Sequence, residues 1–298
     1  MNYLEKCQLC PRNCKVNRLK DEKGFCKAPE HLKIARAALH FFEEPCISGK
    51  TGSGAIFFSH CNLKCIFCQN YDISTKNNGK EISTFYFADL CVKLQNEKAN
   101  NINLVTPTPY IPQIIEGIKL AKEKGLKIPI IYNTSSYENI EALKLLKGTI
   151  DIYLPDFKYY DNDLGEKFSS CKNYRETAIN AIKEMYDQVG PIQFDKKKMI
   201  TKGMIVRHLL LPNHIEDSKK IIKYLYDTYK DNIYISIMNQ YTPVRKLEYD
   251  ELNKIVTNSE YDELINYAYD LGIRNAFIQE GETQKESFIP DFTKYNDL

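Results

Sequence analysis

A chain of 298 residues, 43% hydrophobic and 27% charged, is long enough for one large core or two modest ones and too rich in apolar residues to stay disordered. Its formal net charge of +2 gives no basic field, which argues against nucleic acid as a partner. No apolar run approaches about 18 residues and the N-terminus carries no apolar signal stretch, so no membrane-spanning helix is expected and the reading is cytoplasmic.

In that compartment the ten cysteines read as thiols, yet eight of them crowd into the first 68 residues. Cys7, Cys10 and Cys14 follow CxxCxxxC spacing, and Cys26 comes after a charged stretch. Four such thiolates close a tetrahedral zinc site or hold an iron–sulfur cluster, and the spacing leaves both open. Pro11 and Gly24 favour loops. We therefore expect a small cysteine-rich extension over residues 1–50, pinned by its metal, and a β/α domain over residues 51–298. Residues 31–53 include Glu43, Glu44 and Cys46 and then Gly49-Lys50-Thr51. That triplet lacks the first glycine of a phosphate-binding loop and precedes strand-like residues, so it reads as a turn.

From residue 54 a β/α rhythm sets in. Short apolar runs predict buried strands over 55–59, 102–105, 129–132, 151–154, 203–211, 232–237 and 275–278. Apolar residues at helical spacing predict helices over 84–96, 111–124, 139–147, 174–189, 215–229 and 260–271. About six βα units in alternation imply a parallel sheet with right-handed crossovers: an α/β fold, a partial (βα)6-type TIM barrel whose site lies at the C-terminal ends of the strands. Residues 190–202 read as a solvated loop and the stretch beyond 281 as a surface segment.

Cys61, Cys65 and Cys68 follow the first of these strands at CxxxCxxC spacing. Three soft thiolates suit an iron–sulfur cubane with one iron left open, whereas a structural zinc site closes with four. The strand ends at 106–110, 133–136, 155–158, 212–214 and 238–243 bring further polar residues to the same place. Of the neighbours Arg207 and His208 only one can face the barrel interior, and Arg207 is the better candidate. Cys91 sits on an apolar helical stripe and reads as core; Cys46 and Cys171 carry no motif.

In this setting CxxxCxxC, with Phe67 directly before the third cysteine, resembles the radical S-adenosylmethionine (SAM) superfamily. The stretches CQLCPRNCKVNR, ARAALHFFEEPCISGKTGSGAIFFSHCNLKCIFCQNYDIS, NINLVTPTPYIPQI, PIIYNTSSYE, DIYLPDFKYY, RHLLLPN and ISIMNQYTP resemble its branch related to pyruvate formate-lyase activating enzyme, of the PflX type.

The resemblance implies that Cys61, Cys65 and Cys68 ligate a [4Fe-4S] cluster whose open iron chelates S-adenosylmethionine. It implies an electron from a flavodoxin- or ferredoxin-type reductant, cleavage to a 5′-deoxyadenosyl radical, and hydrogen abstraction from a protein or peptide, as glycyl-radical-enzyme activases do. It also implies cofactor contacts from Phe67, from Thr106 and Thr108 in place of a Gly-Gly-Glu motif, and from Asn133 and Thr134. Asp156, Lys158 and Arg207 complete the set, the two cations as charge-assisted donors. Activating enzymes carry a carboxylate where this chain has Asn133, which weakens any shared monovalent-cation site. A small-molecule or RNA modifier is the alternative within the class. A non-catalytic two-cluster electron carrier is the alternative outside it, and the count of three cysteines disfavours it.

Overall fold

The computed structural model describes residues 3–279 and Phe292. The expected surface segment beyond residue 281 otherwise lies outside the described residues. Among the described residues ten strands appear: β1 (Leu32–His40), β2 (Ser53–Phe58), β3 (Lys80–Ile82), β4 (Ile102–Val105), β5 (Ile130–Thr134), β6 (Ile152–Pro155), β7 (Gln193–Phe194), β8 (Ile200–Leu209), β9 (Tyr234–Met238) and β10 (Ala276–Ile278). The same described residues form nine α-helices: α1 (Pro45–Ser48), α2 (Tyr71–Ser74), α3 (Thr84–Asn96), α4 (Ile111–Glu123), α5 (Ile140–Lys144), α6 (Asn162–Ser169), α7 (Tyr174–Val189), α8 (Ile215–Tyr229) and α9 (Asn258–Asp270).

One sheet runs in the order β10-β9-β8-β6-β5-β4-β2-β1-β3, with β7 beside β8. Its central seven strands, β2 to β10 without β3 and β7, are parallel. This is the expected partial barrel, and among the described residues no ladder joins its edges β10 and β3. The parallel strands β2, β4, β5 and β6 are buried on both faces, as crossover helices require. Ile56, Phe58, Leu104, Tyr132 and Val206 belong to the large outer core shared with the helices. Their neighbours Ala55, Phe57 and Val105 face a separate inner cluster. The helices owe their position to matching stripes; in α3 these are Phe87, Leu90, Cys91 and Leu94, all buried.

Two features depart from the sequence reading. First, the barrel begins earlier than residue 55, because β1 pairs antiparallel with β2, from Ile34 opposite Phe58 to His40 opposite Ser53, and β3 pairs with β1. Lys33, Arg36 and His40 interrupt its apolar pattern and hid it. The chain then turns under the sheet. Asn100 and Asn101, just ahead of β4, donate to Ser48 O (2.6 Å) and Ile47 O (2.8 Å). Cys46 and Ile47 of α1 pack on Ile131, Ile152 and Ile205. Second, the expected loop at 190–202 contains β7, antiparallel to β8. Gly203 makes this possible: at φ 115°, it lies where a Cβ would strike the Ile192 backbone.

Candidate functional site

The loop after β2 rises from the C-terminal end of the barrel and carries the three cysteines. Its backbone is tied to the end of α6: Lys64 N–H donates to Ser169 O (3.2 Å) and Ile66 N–H to Phe168 O (2.9 Å). These are carbonyls that a helix C-terminus leaves unpaired, so loop and helix satisfy each other. Ser169 Oγ also donates to Cys65 Sγ (2.9 Å) and shares a 2.6 Å bond with Tyr159 OH. Leu63 N–H points to Cys61 Sγ (3.4 Å), and Cys68 Sγ meets Ser74 Oγ (3.4 Å). Burial, and then the neighbouring Cys65, push the Cys61 thiol up to about 12. Burial also raises Cys65, against the opposing pull of the Lys158 ammonium.

Beside this loop is a cavity of about 230 Å³. Among the expected residues Cys65, Cys68, Phe67, Asn133, Asp156, Lys158 and Arg207 line it. A larger cleft of about 820 Å³ near Cys46 and Phe277 contains none of them. Arg207, from the inner face of β8, organises the charged wall. It donates to Asp156 Oδ1 (2.8 Å), Asn133 Oδ1 (2.7 Å) and Glu43 Oε2 (3.1 Å). Lys158 Nζ holds the other oxygen of Asp156 at 2.8 Å. Burial alone would raise the Asp156 pKa, but the Arg207 and Lys158 charges outweigh it and hold the carboxyl below its usual range. Phe67 packs against Tyr241 with ring centroids 5.8 Å apart, closing the apolar side. His208 points the opposite way from Arg207, donating through Nδ1 to Phe157 O (2.8 Å) and meeting Ser218 Oγ (2.7 Å).

Cys61, Thr106, Thr108 and Thr134 do not line the cavity. Thr106 follows β4 with φ 62°, an uncommon conformation for a β-branched residue, and its N–H donates to Asn133 O (2.9 Å). The Thr108 and Thr134 hydroxyls turn to a buried carboxylate instead, donating to Glu138 Oε1 at 2.6 and 2.5 Å; Tyr132 OH joins them at 3.3 Å. Even with three donors, burial raises Glu138 to about 7. Cys7, Cys10, Cys14 and Cys26 line a second, small cavity of their own.

Sequence reasoning missed Glu43, Glu138 and Ser169. None of the three belongs to a motif that the sequence shows. Among the described residues no three Cys, His, Asp or Glu side chains converge on one metal-ion position. The donor set nonetheless fits the expected group. Three thiols share one loop, two of them at a cavity whose wall offers paired cations and carboxylates for an amino acid's two ends.

Comparison with known proteins supports the same reading. The Radical SAM superfamily model matches residues 55–225. An uncharacterised protein of Methanocaldococcus jannaschii is 31% identical over 276 residues, 90% of this chain and 75% of that protein. The pyruvate formate-lyase-activating enzyme of Clostridium pasteurianum is 25% identical over 183 residues, covering 59% of this chain and 68% of the enzyme. In fold, the chain matches Streptococcus suis SuiB bound to S-adenosylmethionine with TM-score 0.51 at 14% identity, over 74% of this chain but 48% of that structure. It thus spans about half the length of that solved protein. With more than half of its residues under the family model, and the CxxxCxxC loop directly after β2, the chain belongs to the radical SAM superfamily.

Proposed function

We propose that the chain binds S-adenosylmethionine at a [4Fe-4S] cluster held by Cys61, Cys65 and Cys68, cleaves it reductively, and takes hydrogen from a protein or peptide substrate. The observation that carries this reading is the meeting of Cys65, Cys68, Asn133, Asp156, Lys158 and Arg207 around one cavity of about 230 Å³. When bound, such a cluster supplies the electron for cleavage and an open iron for the methionine end.

The chain's own residues do the rest. Lys158 and Arg207 keep positive charge where a carboxylate would lie, and Asp156 holds both in place. Ser169 presents its hydroxyl to Cys65 and orients that ligand. Phe67 and Tyr241 keep water from one side of the cavity, which protects a reactive intermediate. The protein substrate follows from the likeness to the Clostridium pasteurianum enzyme, whose name says that it activates another enzyme; a flavodoxin- or ferredoxin-type protein as electron donor is part of the same proposal. The test is anaerobic reconstitution with iron and sulfide, followed by S-adenosylmethionine and dithionite. 5′-Deoxyadenosine is expected from the wild type and none from Cys65→Ala. A reconstituted wild-type chain that releases none overturns the reading.

A further inference from the structure

We propose that Cys7, Cys10, Cys14 and Cys26 together bind one zinc-class divalent ion, and that this ion fastens the N-terminal segment onto the loop carrying Cys61, Cys65 and Cys68. The inference stands apart from the proposed reaction, because it rests on a different set of residues.

The local backbone is built around the four cysteines. Cys7 N–H donates to Val16 O (2.9 Å) and Lys15 N–H returns to Cys7 O (2.8 Å), which folds the first three cysteines onto one tight turn. A second turn, closed by Lys27 N–H on Gly24 O (3.0 Å), delivers Cys26. The two turns touch at Gly24, where a Cβ would stand 2.9 Å from Cys14 Sγ; only glycine lets them approach so closely. Phe25 N–H already points at Cys14 Sγ (3.3 Å), as backbone amides do toward metal-bound thiolates.

All four cysteines line one cavity with Arg12 and Arg18, and no carboxylate lines it. Arg18 is 3% exposed, and its bonds go to the carbonyls of Pro29 and Pro109. Arg12 Nη2 is buried with no hydrogen-bond partner. The Arg18 guanidinium and one nitrogen of Arg12 are thus withdrawn from water with no carboxylate at the cavity to answer them, an arrangement that costs stability unless an anion is present. A divalent ion with four thiolates is a dianion, and it supplies that anion. Each thiol gives its proton to solvent as the ion binds, so four protons leave for one metal. Four thiolates from two turns, around a cavity of about 20 Å³, suit the closed tetrahedral set of a single divalent ion. The sulfurs do not yet share one coordination point, and rotation about Cα–Cβ between staggered wells moves each without moving the backbone.

Fastening follows from what the ligand-bearing turns hold. Arg12 Nε donates to Asn62 O (2.9 Å) while its guanidinium lies 3.7 Å from the Phe25 ring centroid. His60 Nδ1 donates to Cys26 O at 2.9 Å. Both residues next to Cys61 are therefore bonded to the four-cysteine unit.

Elemental analysis of the full chain, purified anaerobically with iron and zinc supplied, tests the site. We expect about one zinc per chain, retained when Cys61→Ala, Cys65→Ala and Cys68→Ala are combined and lost in Cys10→Ser. Because Cys10→Ser could misfold, the wild type gives a second measurement. Cobalt(II) added to chelator-stripped chain should yield the visible bands of a tetrahedral thiolate site. About four irons per chain in the triple variant, or no uptake of zinc or cobalt by the wild type, overturns the site. Hydrogen exchange reads the fastening: residues 60–68 should exchange faster in stripped than in zinc-loaded wild type. Equal rates overturn it.

Discussion

At the scale of single residues the site depends on Arg207. It satisfies three acceptors from three separate parts of the chain, and its side chain is only 14% exposed. Truncation to alanine takes the only cation from Glu43 among its described partners and leaves Asp156 with Lys158 alone, at a cost of about 3–5 kcal/mol. We expect Arg207→Ala to lower the unfolding free energy by that amount in urea titration. Arg207→Lys keeps the charge but cannot span three acceptors, so S-adenosylmethionine affinity of the reconstituted protein should drop about tenfold by calorimetry. Asp156, Lys158, Asn133 and Arg207 were legible because strand-end polar residues in a parallel barrel share one place. Glu43 was not, because nothing in a lone acid reveals an arginine 164 positions away. Glu138 shows the same limit: it drew off the Thr108 and Thr134 hydroxyls that the sequence assigned to the cofactor. It also carries a pH dependence. Burial raises its pKa from 4.5 to about 7, so between those values the folded chain keeps a proton that the unfolded chain has released. Stability must then fall as pH rises through that window, by about 3 kcal/mol, and level off above it. Comparing thermal unfolding at pH 5 and pH 8, Glu138→Gln should lose this step while the wild type shows it.

At the scale of elements, α6 sets the geometry of the cysteine loop. Its last carbonyls accept from Lys64 and Ile66, and Ser169 reaches Cys65. The sequence reading had no helix there, since eight residues show too little periodicity to register. Asp161, whose side chain accepts from Asp163 N–H (2.9 Å), was the available start signal. The long strands and helices were legible because two-sided burial and apolar stripes are written in consecutive residues. β1 was not, since its polar residues conceal it until pairing with β2 is known. The role of α6 predicts a specific effect. A hydroxyl donating to a cluster thiolate favours the reduced, more negative state. Ser169→Ala should therefore lower the reduction potential of the reconstituted cluster while leaving its iron content unchanged. A potentiometric titration followed by electron paramagnetic resonance measures both, and an unchanged potential would show the 2.9 Å contact to be irrelevant to redox tuning.

At the scale of the whole molecule the N-terminal segment and the barrel form one cooperative structure. Cysteine crowding suggested an extension set apart, but spacing says nothing about docking. In the fold Arg18 Nη1 donates to Pro109 O (2.5 Å), Asn139 Nδ2 to Gln8 O (3.0 Å), Arg12 Nε to Asn62 O (2.9 Å) and Gln113 Nε2 to Glu30 O. Leu9 and Ala28 are each 1% exposed and belong to the main core. With about 1 kcal/mol for each bond and about 2 kcal/mol for Leu9, docking contributes on the order of 5 kcal/mol before any metal. That exceeds what a turn-rich segment of this size holds internally, so it cannot unfold first and leave the barrel unaffected. Calorimetry of the chelator-stripped full chain should show a single transition. A variant lacking residues 1–30, also stripped, should unfold about 10 °C lower. Two separable transitions in the full chain, or an unchanged midpoint in the shortened one, would mean that the segment folds on its own and that these bonds to the barrel carry no stability.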